Sequence, residues 1–108
     1  MLFRSGRVFG DPVRSSDRYF TVLARSSSSD VPRLGLTISR RVAKDAVDRN
    51  RLKRFARESF RLQPALAICD YVVLAKAGAA AAERGPLSES LDRHFARLTA
   101  QMSADGHG

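Results

Sequence analysis

The segment from residue 40 to residue 61 constrains the fold more than any other part of the sequence, because winding it as a helix separates its side chains into two faces. One face is apolar and, with Phe60 at its margin, carries Leu52, Phe55, Ala56 and Ser59. The other face is polar and mostly basic, and it carries Arg49, Asn50, Lys53, Arg54, Arg57 and Arg61. The pattern predicts a helix over about Val47 to Leu62 that packs its apolar face against the rest of the protein.

Both ends of this helix are marked in the sequence. Asp45 or Asp48 can cap its start, where a carboxylate also favours the positive end of the helix dipole. Gln63-Pro64 ends it, because the residue before a proline disfavours the α conformation.

Three further segments carry strand patterns. Residues 19–25 and 34–39 alternate apolar side chains with a period of two, which predicts two strands with one buried face each. Because the serine-rich stretch 26–30 lies between them, we expect these two strands to form a hairpin. The near-continuous apolar run at 71–76 predicts a third strand that is covered on both sides by helices.

The C-terminal third reads as helical. The alanine-rich residues 77–84 form a connection that holds a helical turn, and a last helix opens at Gly85-Pro86 because proline suits the first helical position. Its apolar residues recur at helical spacing and predict a face packed on the sheet: Leu87, Leu91, Phe95, Leu98 and Met102. The chain of 108 residues is long enough for one domain. We assign that domain to residues 1–102 and a flexible tail to residues 103–108.

Charge indicates the class of partner. The chain has 19 Lys and Arg against 11 Asp and Glu, a net charge of +8 that favours a polyanion such as nucleic acid. Arginine dominates the basic residues; its planar fork suits phosphate, although a GC-rich genome explains the same bias. Nine basic and three acidic residues fall within residues 40–61, so this fifth of the chain carries most of the net charge.

Several classes of protein fit the sequence poorly. The single Cys69 excludes an internal disulfide and a cysteine-based zinc site, and two histidines are too few for a metal cluster. No apolar run approaches the roughly 20 residues of a membrane span, and the segment after Met1 lacks a signal-peptide pattern. We therefore expect a cytoplasmic protein with no membrane partner.

The basic helix admits three interpretations. A solvated face is one, with Glu58 pairing along the helix to Arg54 or Arg61. A membrane-surface helix is the second, although its apolar arc is too narrow for that role. The third, a face that binds nucleic acid, is favoured because like charges at four-residue spacing repel one another without a polyanion. A strand, rather than a second helix, precedes it, so we expect shaped RNA and no DNA.

Three blocks of sequence combine a strand of the type RxGLxxS, two basic residues and an Arg-Asn-Arg motif. They are RLGLTISRR at 33–41, AVDRNRLKR at 46–54 and RESFR at 57–61. In this order they closely resemble the protein subunits of bacterial ribonuclease P, and the likeness spans roughly residues 7–98. The later segments 70–76 and 87–91 also fit that family's pattern.

The resemblance implies a subunit of an endoribonuclease that removes the 5′ leader from precursor tRNA. It implies an α+β fold, a two-layer sandwich of helices on a mostly antiparallel sheet of about four strands. A left-handed β-α-β crossover would surround the basic helix, against the usual right-handed rule. The RNA subunit would carry the chemistry with Mg²⁺ bound mainly by that RNA, so no catalytic residue and no protein metal ligand is expected here. The protein would raise substrate affinity and lower the Mg²⁺ requirement.

The resemblance also assigns two surfaces. Residues expected to bind the catalytic RNA are Arg40, Arg41, Arg49, Asn50, Arg51, Lys53, Arg54, Arg57 and Arg61. Residues expected to bind the single-stranded leader are Phe9, Arg14 and Phe20, although an alternating strand equally favours a buried Phe20. The chain departs from the family pattern at Ser5, where a phenylalanine is usual, and at Pro12, where a glycine is usual. A small ribosomal or RNA-chaperone protein, and more remotely a membrane-active basic domain, are the alternative functions.

Overall fold

The computed structural model describes residues 12–26 and 30–105, with side chains up to residue 102. Its strands are β1 (Val13–Ser16), β2 (Phe20–Ser26), β3 (Arg33–Thr37) and β4 (Cys69–Ala75), and its helices are α1 (Ala46–Leu62), α2 (Ala77–Ala80) and α3 (Arg84–Asp105). The sheet has the order β1-β2-β4-β3, in which only the β3–β4 pair is parallel. The predicted α+β fold, with a mostly antiparallel sheet of four strands, is confirmed.

The hairpin predicted between β2 and β3 is wrong, because β4 lies between these two strands. Phe20 of β2 pairs with Ala75 of β4, while Leu34 of β3 pairs with Tyr71 of β4. Alternation specifies which face of a strand is buried, but it does not specify which strand lies beside it. The apolar β4 takes the central position, where both of its edges are paired. Strand β1 has only four residues, three of them polar, so the sequence shows no apolar alternation that would predict it.

The two helices that pack on the sheet cover one of its faces. Phe60 of α1 and Phe95 of α3 both contact Tyr71 edge-on, with ring centroids 5.6 and 5.9 Å from that of the tyrosine. The central strand side chains on this face, Phe20, Val22, Ala24, Tyr71 and Val73, are fully buried. The helix residues Leu87, Leu91, Phe95 and Leu98 are also fully buried, at the predicted positions. The core therefore lies between this sheet face and the helices.

The opposite face of the sheet is only half-buried, and no helix within residues 12–26 and 30–105 covers it, contrary to the prediction that helices cover β4 on both sides. Along β4 the buried Tyr71 and Val73 alternate with the half-buried Val72 and Leu74. A short apolar run does not distinguish a strand that is covered on both faces from one whose second face is apolar but accessible. Leu23 of β2 lies opposite Val72 and belongs to the same half-buried face.

The helix boundaries agree closely with the sequence. Helix α1 begins one residue before the predicted start and ends at Leu62, after which Gln63 is extended, as expected before a proline. Asp45 is the N-cap residue but makes no side-chain capping hydrogen bond. Helix α3 continues to Asp105, past the boundary at residue 102 predicted for the tail. None of the helices within the described ranges has the length and apolar character that a membrane crossing requires.

Candidate nucleic-acid interface

The outer side of α1 is a cationic face, which we define by its residues as Asn50, Lys53, Arg54, Arg57 and Arg61. All of them are exposed except Lys53, which is half-buried. The fully buried Leu52 and Ala56 hold the opposite side of the helix on the core. The period of the helix thus places the basic residues outward for the same reason that it places the apolar residues inward.

No carboxylate pairs with the arginines of the cationic face within the described part of the chain. Glu58, which we expected to pair with Arg54 or Arg61, instead bonds to Arg84 of α3, with its Oε1 3.4 Å from Nη2. The reason is its position on the side of α1 that faces the start of α3. The cationic face consequently keeps its positive charge in the folded protein.

The surface beside these side chains is concave. A groove of about 560 Å³ runs along the helix and is lined by Asn50, Arg54, Arg57, Glu58 and Arg61. Another, of about 410 Å³, lies between α1 and the edge strand β3, and Leu34, Leu36, Lys53 and Arg57 line it. A polyanion can therefore follow the helix with cations on its flanks.

The loop before α1 adds two exposed arginines, Arg40 and Arg41, next to the start of the helix. Ser39 stabilises this loop, since its carbonyl accepts N–H bonds from Val42 and Ala43, both at 3.1 Å. Ile38 and Ala43 are buried beneath the loop. The two arginines are thus presented by a short, anchored turn.

The remaining two residues expected to bind the catalytic RNA differ from the others, because their guanidinium groups bond to the protein's own backbone. Arg49 Nη1 donates to the carbonyls of Ala43 and Lys44, at 2.9 and 2.7 Å. Arg51 Nη2 donates to the carbonyl of Ala82, at 3.1 Å. Both arginines are half-buried.

Arg14 and Phe20, two of the three residues expected to bind the leader, lie on opposite faces of the sheet. Phe9 lies outside the described residues. Arg14 is exposed and pairs with Leu23, so it belongs to the half-buried face of the sheet. Phe20 lies on the other face and is fully buried in the core, so its ring is not accessible for stacking on a base. The prediction that Phe20 binds the leader is corrected to core packing.

Pairing register identifies candidate residues that the sequence did not single out. A row across the half-buried face joins Arg14, Leu23 and Val72. A neighbouring row joins Arg25, Asp70 and Arg33. In this row, Oδ1 of Asp70 lies 3.9 Å from Nε of Arg33. This surface combines apolar side chains with arginines. The sequence did not predict this surface, because it depends on the order of the strands in the sheet, which local patterns do not determine.

A polar network lies where β1, the β1–β2 turn and α3 meet; we define it as Ser15, Asp17, Ser90, Arg93, His94 and Arg97. Its Ser15, Ser90 and His94 are buried, whereas Arg93 and Arg97 are exposed. His94 Nδ1 lies 2.6 Å from Ser15 Oγ, and its Nε2 lies 3.2 Å from Asp17 Oδ2. Serine, histidine and aspartate recur in nucleophilic catalysis. Here His94 is 1% exposed and Ser15 is 3% exposed, so no substrate reaches them and the arrangement is structural.

Titration in this network follows from burial and hydrogen bonding. Burial lowers the pKa of His94 below its ordinary value, although the nearby Asp17 carboxylate acts in the opposite direction. Partial burial would raise the pKa of Asp17, but hydrogen bonds from Ser90, Phe20 and Tyr19 outweigh it and hold that pKa well below the usual range. At neutral pH, Asp17 is ionised and His94 is neutral.

Comparison with known proteins gives one consistent result. Residues 4–99 match the family model described as Ribonuclease P. A ribonuclease P protein component from Methylococcus capsulatus is 50% identical over 97 residues, covering 89% of this chain and 76% of the relative. The corresponding protein from Pasteurella multocida is 45% identical, covering 83% and 76%.

Solved structures agree with the sequence comparisons. The Staphylococcus aureus RNase P protein superposes with a TM-score of 0.75 at 26% identity, covering 86% of this chain and 88% of the other. The RNase P protein from Thermotoga maritima gives a TM-score of 0.70 at 28% identity, covering 83% and 86%.

Proposed function

Since the chain belongs to the ribonuclease P protein family, we propose that it binds the catalytic RNA through the cationic face of α1 and the leader of precursor tRNA through the half-buried face of the sheet. On this proposal it raises the affinity of the holoenzyme for precursor tRNA and lowers the Mg²⁺ requirement. The chemistry remains with the RNA subunit. Because precursor tRNA would be its substrate, we propose that it acts in the cytoplasm.

The observation that carries the proposal is the row of uncompensated cations on α1. Arg54, Arg57 and Arg61 are exposed and have no carboxylate partner among the described residues. Exposed like charges at this spacing repel one another, so the row is unfavourable for the isolated protein. Phosphates relieve that repulsion and release condensed counterions, which gives affinity without sequence preference. The same cations replace part of the Mg²⁺ that holds the RNA folded.

The residues around this face support the same interface. Arg40 and Arg41 extend it toward β3, and Arg49 stabilises the loop that presents them. Among the described residues Arg49 bonds to the backbone through Nη1, and we propose that its other N–H groups contact phosphate or ribose. Most protein–RNA contacts on shaped RNA are of this kind.

For the leader we propose the row Arg14, Leu23 and Val72, with Phe9 as a further contact. Apolar side chains let bases pack without hydrogen-bond readout, and an arginine at the edge holds the phosphate chain. Stacking on an aromatic side chain such as Phe9 is worth about 1–3 kcal/mol per base and tolerates any sequence. That tolerance suits leaders that differ between tRNAs.

Mg²⁺ is handled by the RNA in this proposal. Within residues 12–26 and 30–105, no three His, Cys, Asp or Glu side chains come together in a way that could hold a metal ion. We therefore propose no protein ligand for Mg²⁺.

Reconstitution tests the proposed function. The full chain is added to a bacterial ribonuclease P RNA at low Mg²⁺ with a precursor tRNA carrying a 5′ leader. We expect leader removal to be restored, and precursor to be bound more tightly than mature tRNA. No stimulation over the RNA alone would refute the proposal. Tight binding to ribosomal RNA without any leader preference would instead support the ribosomal alternative.

A further inference from the structure

One stripe of α1, beside the cationic face, is half-buried and contacts other parts of the protein. Arg51, Phe55 and Glu58 occupy it at the spacing i, i+4 and i+7, which places them in line along the helix. Arg51 donates to the carbonyl of Ala82 at 3.1 Å, and Arg84 donates to Glu58 at 3.4 Å. We call these five residues the guanidinium clamp.

Phe55 is the centre of the clamp. The guanidinium carbon of Arg51 lies 5.1 Å from the centroid of its ring, and that of Arg84 lies 5.7 Å from the same centroid. Cation–π contacts at this range are favourable, more so when partly desolvated. Arg51 therefore has a backbone acceptor and an aromatic surface from its own chain.

The clamp contributes to fixing the rotation of α1 about its own axis, together with the buried Leu52 and Ala56. It joins two turns of the helix to Ala82, between α2 and α3, and to Arg84, the first residue of α3. Turning α1 would break the Arg51 hydrogen bond and the Glu58 ion pair together. Because the cationic face lies directly beside the clamp on the helix, that rotation also sets the direction in which Arg54 and Arg57 point.

We propose that Arg51 is a positioning residue for RNA binding, which holds the cationic face in its binding orientation and makes no phosphate contact itself. The inference rests on the proposed function. The proposal gives the residues of the Arg-Asn-Arg motif different roles. Asn50 is exposed on the cationic face, whereas Arg51 faces the α2–α3 connection.

The salt dependence of RNA affinity separates positioning from contact. Each phosphate contact contributes about 0.7–0.9 to the slope of log K against log salt concentration. The test compares the full chain with its Arg51→Ala and Arg54→Ala variants on the same ribonuclease P RNA, at temperatures where thermal melts show each protein folded. Arg54→Ala is the matched control, since it removes the same side chain from the exposed face of the same helix.

We expect Arg51→Ala to lower affinity roughly threefold to tenfold at every salt concentration, with an unchanged slope, because the variant must first reorient α1 and then makes the same phosphate contacts. Arg54→Ala should reduce the slope by one contact. A slope reduced equally by Arg51→Ala would overturn the proposal, because it would show a direct phosphate contact. An unchanged affinity with a lower melting temperature would also overturn it, since Arg51 would then serve stability only.

Two more variants keep the test decisive if Arg51→Ala folds poorly. Arg51→Lys keeps a cation that can reach Ala82 and Phe55, and we expect it to recover most of the affinity. Phe55→Leu leaves Arg51 charged but removes the ring beneath it, and we expect a loss of affinity at constant slope. Full affinity in Phe55→Leu would count against the clamp. If the unchanged chain fails to bind the RNA, the proposed function is wrong, which is distinct from an altered slope in Arg51→Ala.

Discussion

The cationic face of α1 and the polar network beside β1 are both rich in charge, but they differ in how those charges are paired. The network pairs its charges within the protein, whereas the described residues leave the arginines of the cationic face unpaired. In the network, Asp17 accepts hydrogen bonds from the backbone of Tyr19 and Phe20 and from the side chains of Ser90 and Arg93. On α1, exposed arginines have no carboxylate partner among the described residues. A charge that is fully partnered inside the protein stabilises the fold, whereas a charge left exposed and unpaired is available to another molecule.

The largest effect that would test this contrast is removal of the cationic face. We expect the combined Arg54→Ala, Arg57→Ala and Arg61→Ala variant to lose roughly tenfold in RNA affinity per phosphate contact at about 0.1 M salt. Its free energy of unfolding should be unchanged or slightly higher, since like charges have been removed. Equilibrium binding and urea titration measure the two quantities. A large loss of stability with little loss of affinity would reverse the assignment.

The next effect concerns the network. Asp17→Ala leaves several donors without their acceptor, so we expect the free energy of unfolding to fall by about 2–4 kcal/mol, while the folded protein keeps its RNA affinity. Asp30→Asn, at an exposed position, is the matched control and should change stability little. If Asp17→Ala unfolds as the parent protein does, the network is not a main support of the fold.

A smaller effect is expected on the leader surface. Arg14→Ala should remove one contact to single-stranded phosphate, lowering precursor affinity roughly fivefold at about 0.1 M salt. Mature tRNA, which has no leader, is the internal control and should bind equally to both proteins. An equal loss for mature tRNA would place Arg14 away from the leader.

The dependence of stability on pH gives the finest distinction between the two regions. Because the pKa of His94 is lowered in the folded state, the unfolded chain binds more protons, and stability should fall as the pH drops below about 6.5. The lowered pKa of Asp17 adds a second loss as the pH falls below about 3.8. Urea titrations at pH 7.5, 6.5 and 5.5 should show the first loss in the parent but not in His94→Gln. A flat profile in the parent would contradict the neutral, buried histidine.

Local patterns accounted for the elements but not for their neighbours. Helix α1, its end at Gln63-Pro64 and the apolar stripe of α3 were predictable because helical period and proline geometry act within a few residues. The β2–β4–β3 order was not, because it depends on pairing between distant segments.

The site was predictable to a similar extent. Helical period placed Arg54, Arg57 and Arg61 outward correctly. It did not show that Arg51 bonds to Ala82, since that carbonyl is 31 residues away in the chain. Strand alternation, in turn, did not decide between core and surface for Phe20, because that depends on which side of the sheet the helices cover.

The most direct test of the central idea, that the uncompensated cations of α1 lie against RNA phosphates, is the salt slope of RNA affinity. The parent chain and the combined Arg54, Arg57 and Arg61 alanine variant are titrated against one ribonuclease P RNA from about 0.05 to 0.5 M salt. The slope of log K against log salt should be shallower in the variant by about 2–3, the contribution of three phosphate contacts. Parallel lines for the two proteins would contradict it.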